Sequence, residues 1–144
     1  MDTAHAPATV DYAFGAELDM PLAEAVTRTT EALGAEGFGV LTTIDVQQTL
    51  REKLGVDFEP YVILGACNPQ LAYRGLLAEH ELGLLLPCNV IVHEHAGKSA
   101  VSAVDPAKML GVVGENAALR AVADEAGARL RRVVTALGSD PQSA

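Results

Sequence analysis

Two cysteines, each followed by an asparagine, are the residues of this sequence best suited to chemistry. Cys67-Asn68 ends an apolar run, and Cys88-Asn89 directly follows Pro87. A thiol can serve as a nucleophile, a redox centre or a metal ligand. The two cysteines are too far apart in sequence to form the Cys-x-x-Cys pattern of redox motifs and zinc sites. Any joint role would therefore have to come from the fold.

Cys67 is predicted to lie at the end of a buried strand, immediately before a helix. Asn68 supplies a capping side chain, and Pro69 suits the first helical position. Free backbone amides and the positive end of the helix dipole would stabilise a thiolate there and lower the pKa of the cysteine. A reactive cysteine, a metal-bound thiolate or an anion site would fit that position. The alternative is that Cys67 is a small buried apolar residue that closes the strand.

Pro87 indicates an edge strand, a bulge or the start of a strand, because proline cannot donate to a ladder. A bulge would re-aim the side chain of Cys88. If the third and fourth strands pair antiparallel, Cys67 lies opposite the start of the fourth strand. Cys88 then lies several residues further along that strand, and the distance between the two cysteines is too long for a disulfide. Five residues are therefore taken as candidate ligand-binding residues: Cys67, Asn68, Pro87, Cys88 and Asn89.

His93 and His95 form a His-x-His pair that shares one strand face with Asn89 and Ile91. Alternate imidazoles on a strand can chelate a divalent metal. Two ligands do not make a site, and histidines near a hairpin are typical of solvated turns, so no metal site is assigned. The sequence has no Walker loop, no dinucleotide-binding glycine pattern and no Gly-x-Ser-x-Gly elbow. It therefore identifies neither catalytic residues nor a cofactor.

Composition is typical of a globular intracellular domain. The chain has 144 residues, 49% hydrophobic and 20% charged, with a net charge of -9, which disfavours nucleic-acid phosphates and anionic membranes as partners. No apolar run approaches the ~20 residues that span a bilayer, and the first residues do not resemble a secretory signal. Two cysteines favour the reduced cytoplasm. We expect one cytoplasmic domain over 1–144, with its core at about 8–137 and frayed ends.

Strand and helix patterns alternate along the sequence. Strands are predicted at 10–14, 38–44, 61–64, 84–93 and 99–104, and helices begin after 19, 45, 68, 105 and 115. Asp19 is expected to cap the first helix, Gly37 and Gly55 to end the first two, and the third to run to about Glu81. The last helix repeats apolar residues every three or four positions. The pattern predicts an α+β fold of two layers, a mostly antiparallel twisted sheet with helices packed on one face.

Several motifs carry a resemblance to a known family. They are the segments 37–42 (GFGVLT), 53–56 (KLGV), 63–69 (ILGACNP), 82–90 (LGLLLPCNV) and 101–106 (VSAVDP). In order and spacing they resemble the domain of unknown function 302 family from about Phe14 to Leu137. The resemblance implies a small α+β domain and homodimers, but no activity or cofactor. His93-Glu94-His95 departs from the family's more usual aromatic and acidic residues, so a histidine metal site would be peculiar to this chain.

Three hypotheses follow for the function. The first is a ligand-binding or thiol-based sensing module centred on Cys67 and Cys88, with a small molecule or a metal ion as ligand. The second is a thiol-dependent enzyme, for which no base is placed beside Cys67 by local spacing. The third is a structural homodimeric subunit in which the thiols are only packing.

Overall fold

The computed structural model describes residues 10–138, so the frayed ends predicted at the two termini lie outside the described residues. The strands are β1 (Ala13–Leu18), β2 (Gly39–Asp45), β3 (Tyr61–Cys67), β4 (Cys88–His95) and β5 (Lys98–Val104). The helices are α1 (Leu22–Ala35), α2 (Val46–Leu54), α3 (Pro69–Ala78), α4 (Pro106–Leu110) and α5 (Ala117–Gly138). Two 3-10 segments follow α3 and α4, at His80–Leu85 and Gly111–Val113. Within 10–138, no helix is long and apolar enough to cross a membrane.

The five strands form one sheet in the order β1-β5-β4-β3-β2, and every neighbouring pair is antiparallel. The register places Val90 of β4 opposite Leu64 of β3 and Ala103 of β5. All three side chains are fully buried. The predicted α+β fold with an antiparallel sheet is therefore confirmed.

The sheet has two unlike faces, because successive side chains of a strand point to opposite sides. The covered face carries the buried core residues, including Leu64, Val90 and Val92. The open face carries the intervening residues, among them Ile63 and Ile91, which are half-buried and lie opposite each other. One strand thus contributes to a core on one side and to a partly exposed surface on the other.

The helical layer is built mainly on α5, which contacts α1, α3, α4 and β1. The apolar stripe predicted for this helix is buried as expected: Leu119, Val122, Ala126, Leu130, Val133 and Leu137. α1 ends at Ala35, and the glycine expected to stop it, Gly37, lies two residues further along with a left-handed φ of +85°. α2 begins where the Asp45 carboxylate accepts the Gln48 amide (2.9 Å) and ends at Gly55, with a φ of +68°.

The start of α1 differs from the prediction. Asp19 is not the capping residue; Pro21 occupies that position and offers no side-chain cap. Glu94 of β4 supplies the acceptor instead, since its Oε1 takes the Leu22 amide at 2.7 Å. Ser99 of β5 fixes the same loop by donating from Oγ to the Met20 carbonyl (2.8 Å). The cap was missed because it comes from a strand 72 positions away.

The boundaries of the fourth strand are also corrected. The predicted start at residue 84 is wrong, because Leu84 and Leu85 belong to the 3-10 segment and β4 begins at Cys88. Pro87 therefore precedes the first residue of the strand. The edge-strand interpretation is wrong as well, since β4 is the third of five strands and β1 and β2 form the edges. The first strand likewise begins at Ala13 and not at Val10.

Candidate functional site

Cys67 and Asn68 form the junction between the end of β3 and the start of α3. The Asn68 Oδ1 accepts the Leu71 amide at 3.2 Å, and the Asn68 carbonyl accepts the Ala72 amide at 2.9 Å. Pro69 takes the first helical position, where its missing amide hydrogen costs nothing. Asn68 therefore caps the helix as predicted, and it is itself buried.

The Cys67 thiol has a raised pKa, and the predicted lowering is wrong. Burial raises it, because an apolar surrounding disfavours the charged form. The amides that would oppose this effect are mostly engaged, since Leu71 and Ala72 donate to Asn68. Burial therefore outweighs the helix start in its effect on the pKa of this thiol.

Cys88 lies much closer to Cys67 than the sequence suggested. Cys88 is the first residue of β4 and pairs with Ala66, the residue next to Cys67. The earlier estimate was wrong because it began the fourth strand too early. Burial, with a smaller contribution from the nearby Cys67, raises the pKa of the Cys88 thiol to about 11. Both thiols are unbridged.

The two cysteines line one small cavity at the end of the covered face. Its volume is about 40 Å³, roughly three times the ~10–15 Å³ that a water molecule requires. The wall is formed by Phe38, Ala66, Cys67, Asn68, Leu71, Ala72, Leu82, Leu86, Pro87, Cys88, Pro106, Met109, Leu110, Val122 and Ala126. Apart from the thiols, no side chain in this wall is ionisable. Cys67, Asn68, Pro87 and Cys88 are thus brought together as part of a mostly hydrocarbon surface.

Asn89 does not belong to this group. It is exposed on the open face, opposite Gly65, whereas Cys88 before it lies on the covered face. Its alternation with Cys88 follows from the pleat of the strand. The structure therefore separates Asn89 from the other four candidate residues.

Gly65 explains how Pro87 approaches the sheet. A Cβ on Gly65 would lie 2.8 Å from Cγ of Pro87 and would also overlap Oγ1 of Thr42. Only glycine leaves room for both neighbours, so the backbone of β3 and the proline ring pack directly together. This contact fixes the segment that leads into Cys88.

A polar network surrounds the junction and was not anticipated. The Glu36 carbonyl accepts from Asn68 Nδ2 (3.5 Å) and from Arg129 Nη1 (3.0 Å). The Glu36 carboxylate pairs with Arg132 at 2.8 Å. A Cβ on Gly37 would lie 2.9 Å from Asn68 Nδ2, so this glycine is needed for close approach as well as for its left-handed φ. The network joins α1, α3 and α5 beside the cavity.

The two histidines share one strand face with Asn89 and Ile91 as predicted, and this is the open face, but they are not both solvated turn residues. His93 is only 6% exposed and stacks on Tyr61, with ring centroids 5.3 Å apart. His95 is exposed at the end of β4. Throughout 10–138, no three His, Cys, Asp or Glu side chains are grouped closely enough to hold a metal ion.

A larger groove of about 390 Å³ lies between α4, the Gly111–Val113 segment and the start of α5. Its charged lining includes Arg120 and Glu115, which pair with each other at 3.0 Å. Since that cation already has its partner and neither side chain is buried, the groove offers less definite chemistry than the thiol-lined cavity.

Fold and site together define a class of small α+β domain, in which a helical layer covers one face of an antiparallel sheet and two unbridged cysteines lie at the ends of adjacent strands. The family model described as "Domain of unknown function DUF302" matches residues 14–137. The chain belongs to this family. It is also similar to a solved structure, the crystal structure of an uncharacterized conserved DUF302 protein from Bacillus stearothermophilus, at 32% identity and a TM-score of 0.79, over 88% of this chain and 98% of that one. No curated protein matches the sequence.

Proposed function

We propose that this protein is a small-ligand binding module whose site is the cavity lined by Cys67 and Cys88. The observation that carries the proposal is that Cys67 and Cys88, two residues of different strands, line the same cavity in an otherwise almost apolar wall. A volume of about 40 Å³ suits a ligand of a few atoms and not an organic metabolite, since ordinary ligand pockets measure ~300–1,000 Å³.

Binding fits this site better than thiol catalysis does. A nucleophilic cysteine needs a lowered pKa or an adjacent base. Burial raises the pKa of both thiols, and the wall offers no histidine or carboxylate to act as a base. The same argument disfavours a sensor that depends on a reactive thiolate. The proposal needs reduced thiols, and therefore a reducing compartment such as the cytoplasm.

Xenon is a suitable probe of the cavity, because it is a small apolar atom that enters such sites. With ¹³C-methyl NMR under xenon pressure, we expect saturable shifts of the methyl groups of Met109, Leu71 and Val122, which line the cavity. Ala72→Leu should abolish the shifts by filling the space. The matched control is Ala128→Leu on the exposed side of α5, which should keep them. Cavity methyls that do not respond in the wild-type protein would refute the binding function.

A homodimer is a second proposal, favoured by the apolar side chains of the open face. Ile44 and Phe58 are 46% and 42% exposed, and Ile63 and Ile91 are half-buried between them and β5. Five strands about 4.8 Å apart and about 24 Å long present about 600 Å². Two such faces would bury about 1,200 Å², the lower limit of standard interfaces. A second copy related by a two-fold axis is the expected partner.

The oligomeric state tests this second proposal. We expect light scattering coupled to size exclusion to give a dimer for the wild-type chain and a monomer for Ile91→Lys, which places a charge near the centre of the open face. Thr27→Lys, on the exposed side of α1, is the control and should remain dimeric. A wild-type monomer at tens of micromolar would rule the interface out.

A further inference from the structure

The segment 39–60, here called the arm, has regular structure but contributes nothing to the core. It consists of β2, α2 and the loop that leads to β3, and none of its residues, all of which the structure describes, is buried. The arm nevertheless carries a large share of apolar side chains. Those that are exposed are Leu41, Ile44, Leu54, Val56 and Phe58.

The helix of the arm, α2, is too short to be stable without apolar packing. It has 9 residues, whereas isolated helices shorter than ~12–15 residues are marginal in water and depend on an apolar face that packs on other elements. Val46, Leu50 and Leu54 form such a face, since they are four residues apart. The first two are half-buried, but Leu54 is 68% exposed. The single chain therefore covers only the first part of this apolar stripe.

The strand of the arm, β2, is an edge of the sheet without the usual protection. Its sequence, GVLTTID, contains neither Lys nor Pro, the residues that commonly blunt an exposed edge. The other edge strand, β1, lies against α5 and has buried residues at Ala16 and Leu18. Both elements of the arm thus present surface that a partner would cover.

We infer that the arm is a dimerisation element and that, in a two-fold dimer, the arm of each copy packs on the open face of the other copy. This inference rests on the homodimer proposed above and assigns that dimer a second contact surface. The arm adjoins the open face at two points. Ile44 pairs with Ile63 across β2 and β3, and the rings of Phe58 and Tyr61 are 6.0 Å apart.

The area to be buried favours a second copy as the partner. The open face alone gives a dimer interface of about 1,200 Å², the lower limit of the standard size. Covering Leu41, Leu54 and Val56 adds about 100 Å² for each side chain. Counted on both copies, this raises the interface to about 1,800 Å², well within the standard range. A helix whose packing depends on a partner also needs one that is always present, and a second copy of the chain meets that condition.

The test compares two leucines of equal exposure on two different helices. Leu54 in α2 and Leu77 in α3 are 68% and 70% exposed in the single chain, so both positions would tolerate lysine equally if no partner covered either. Leu54→Lys should weaken dimerisation by more than about 100-fold, because it buries a charge against an apolar face. Light scattering coupled to size exclusion should therefore give a monomer for Leu54→Lys and a dimer for the control, Leu77→Lys. Circular dichroism establishes that both variants are folded.

Amide hydrogen exchange measures the dependence of α2 on the partner. The amides of α2 should exchange at least about 10-fold faster in the monomeric variant Ile91→Lys than in the wild-type dimer, because the apolar cover of the helix is lost. The amides of α1, which packs on the covered face, serve as the internal control and should keep their rates.

The outcomes separate failure of this inference from failure of the homodimer. A Leu54→Lys variant that stays dimeric, or α2 amides that exchange equally in Ile91→Lys and wild type, would exclude the arm from the interface. A dimer that Ile91→Lys still dissociates would in that case remain a dimer of open faces alone. Dissociation by Leu77→Lys as well would overturn the inference, because the interface would then include the helical layer. A wild-type monomer would end both proposals.

Discussion

The covered and open faces are built from the same strands, yet the covered face forms the core and the open face stays partly exposed. On β4, Val90 and Val92 are fully buried beneath the helices, whereas Ile91 between them is half-buried. The open face also carries polar side chains such as Asn89 and His93, whereas the covered face is almost entirely apolar, so the alternation along the strand already favours the covered side as the core. The helices α5 and α1 complete that core by packing on this side. The candidate site lies where that cover ends, at the last rung of β3 and β4.

Truncation of Leu64 and of Ile63, two neighbours on β3, should show the contrast between the two faces most strongly. Leu64→Ala on the covered face should lower the free energy of unfolding by about 3 kcal/mol, because it leaves a cavity in a fully buried core. Ile63→Ala, one residue earlier on the open face, should cost only about 1 kcal/mol. Urea unfolding of both variants gives the comparison. The comparison applies to the dissociated chain, at protein concentrations where light scattering gives a monomer, and equal losses there would mean that the covered and open faces are packed alike.

A second test concerns the tight contact between Gly65 on the open face and the residues Pro87 and Thr42. Gly65→Ala should cost about 2 kcal/mol, because the new methyl group would meet Pro87 and Thr42. Gly39→Ala on β2 is the matched control, since a Cβ there meets nothing within 4 Å. The control should be neutral or slightly stabilising. If both substitutions behave alike in urea unfolding, the contact with Pro87 does not fix the segment before Cys88.

A smaller loss of stability is expected when Glu94 on the covered face is truncated, and Glu17 on the open face is its control. Glu94→Ala should cost about 1 kcal/mol, because it removes the acceptor of the Leu22 amide at the start of α1. Glu17→Ala on the exposed side of β1 should change stability by less than ~0.5 kcal/mol. Thermal unfolding of the two variants measures the difference. A similar melting temperature for both would show that water replaces the cap.

The fold was largely predictable because its strongest signals are local. The stripe of α5 and the stop at Gly37 depend only on residues a few positions apart, and both were predicted. Leu84-Leu85-Leu86 was misassigned because a short apolar run is equally compatible with a strand and a 3-10 segment. The cap by Glu94 was missed because no local pattern links a helix start to a distant strand.

The candidate site was only partly predictable. Cys67 and Asn68 were found from their place before Pro69, but their closeness to Cys88 depends on the register of two strands. The pKa of Cys67 was predicted in the wrong direction because the sequence indicates the helix start and not the apolar wall that surrounds it. Met109 was missed since nothing in its neighbourhood distinguishes it from an ordinary core methionine.

The last prediction concerns the ion pair that joins the helical layer beside the site. The Arg132 guanidinium, through its hydrogen bond to the carboxylate, lowers the pKa of Glu36. A lowered pKa stabilises the fold above the carboxyl group's ordinary value of 4.5, and this contribution is lost as the pH falls through the lower value of the folded state. Glu36→Gln should therefore lose less stability than wild type between pH 6 and about pH 3 in urea unfolding. In an Arg132→Gln background the same substitution should alter that pH dependence much less, because only the smaller contribution of Arg129 remains. An unchanged effect in that background would assign the shift to a group other than Arg132.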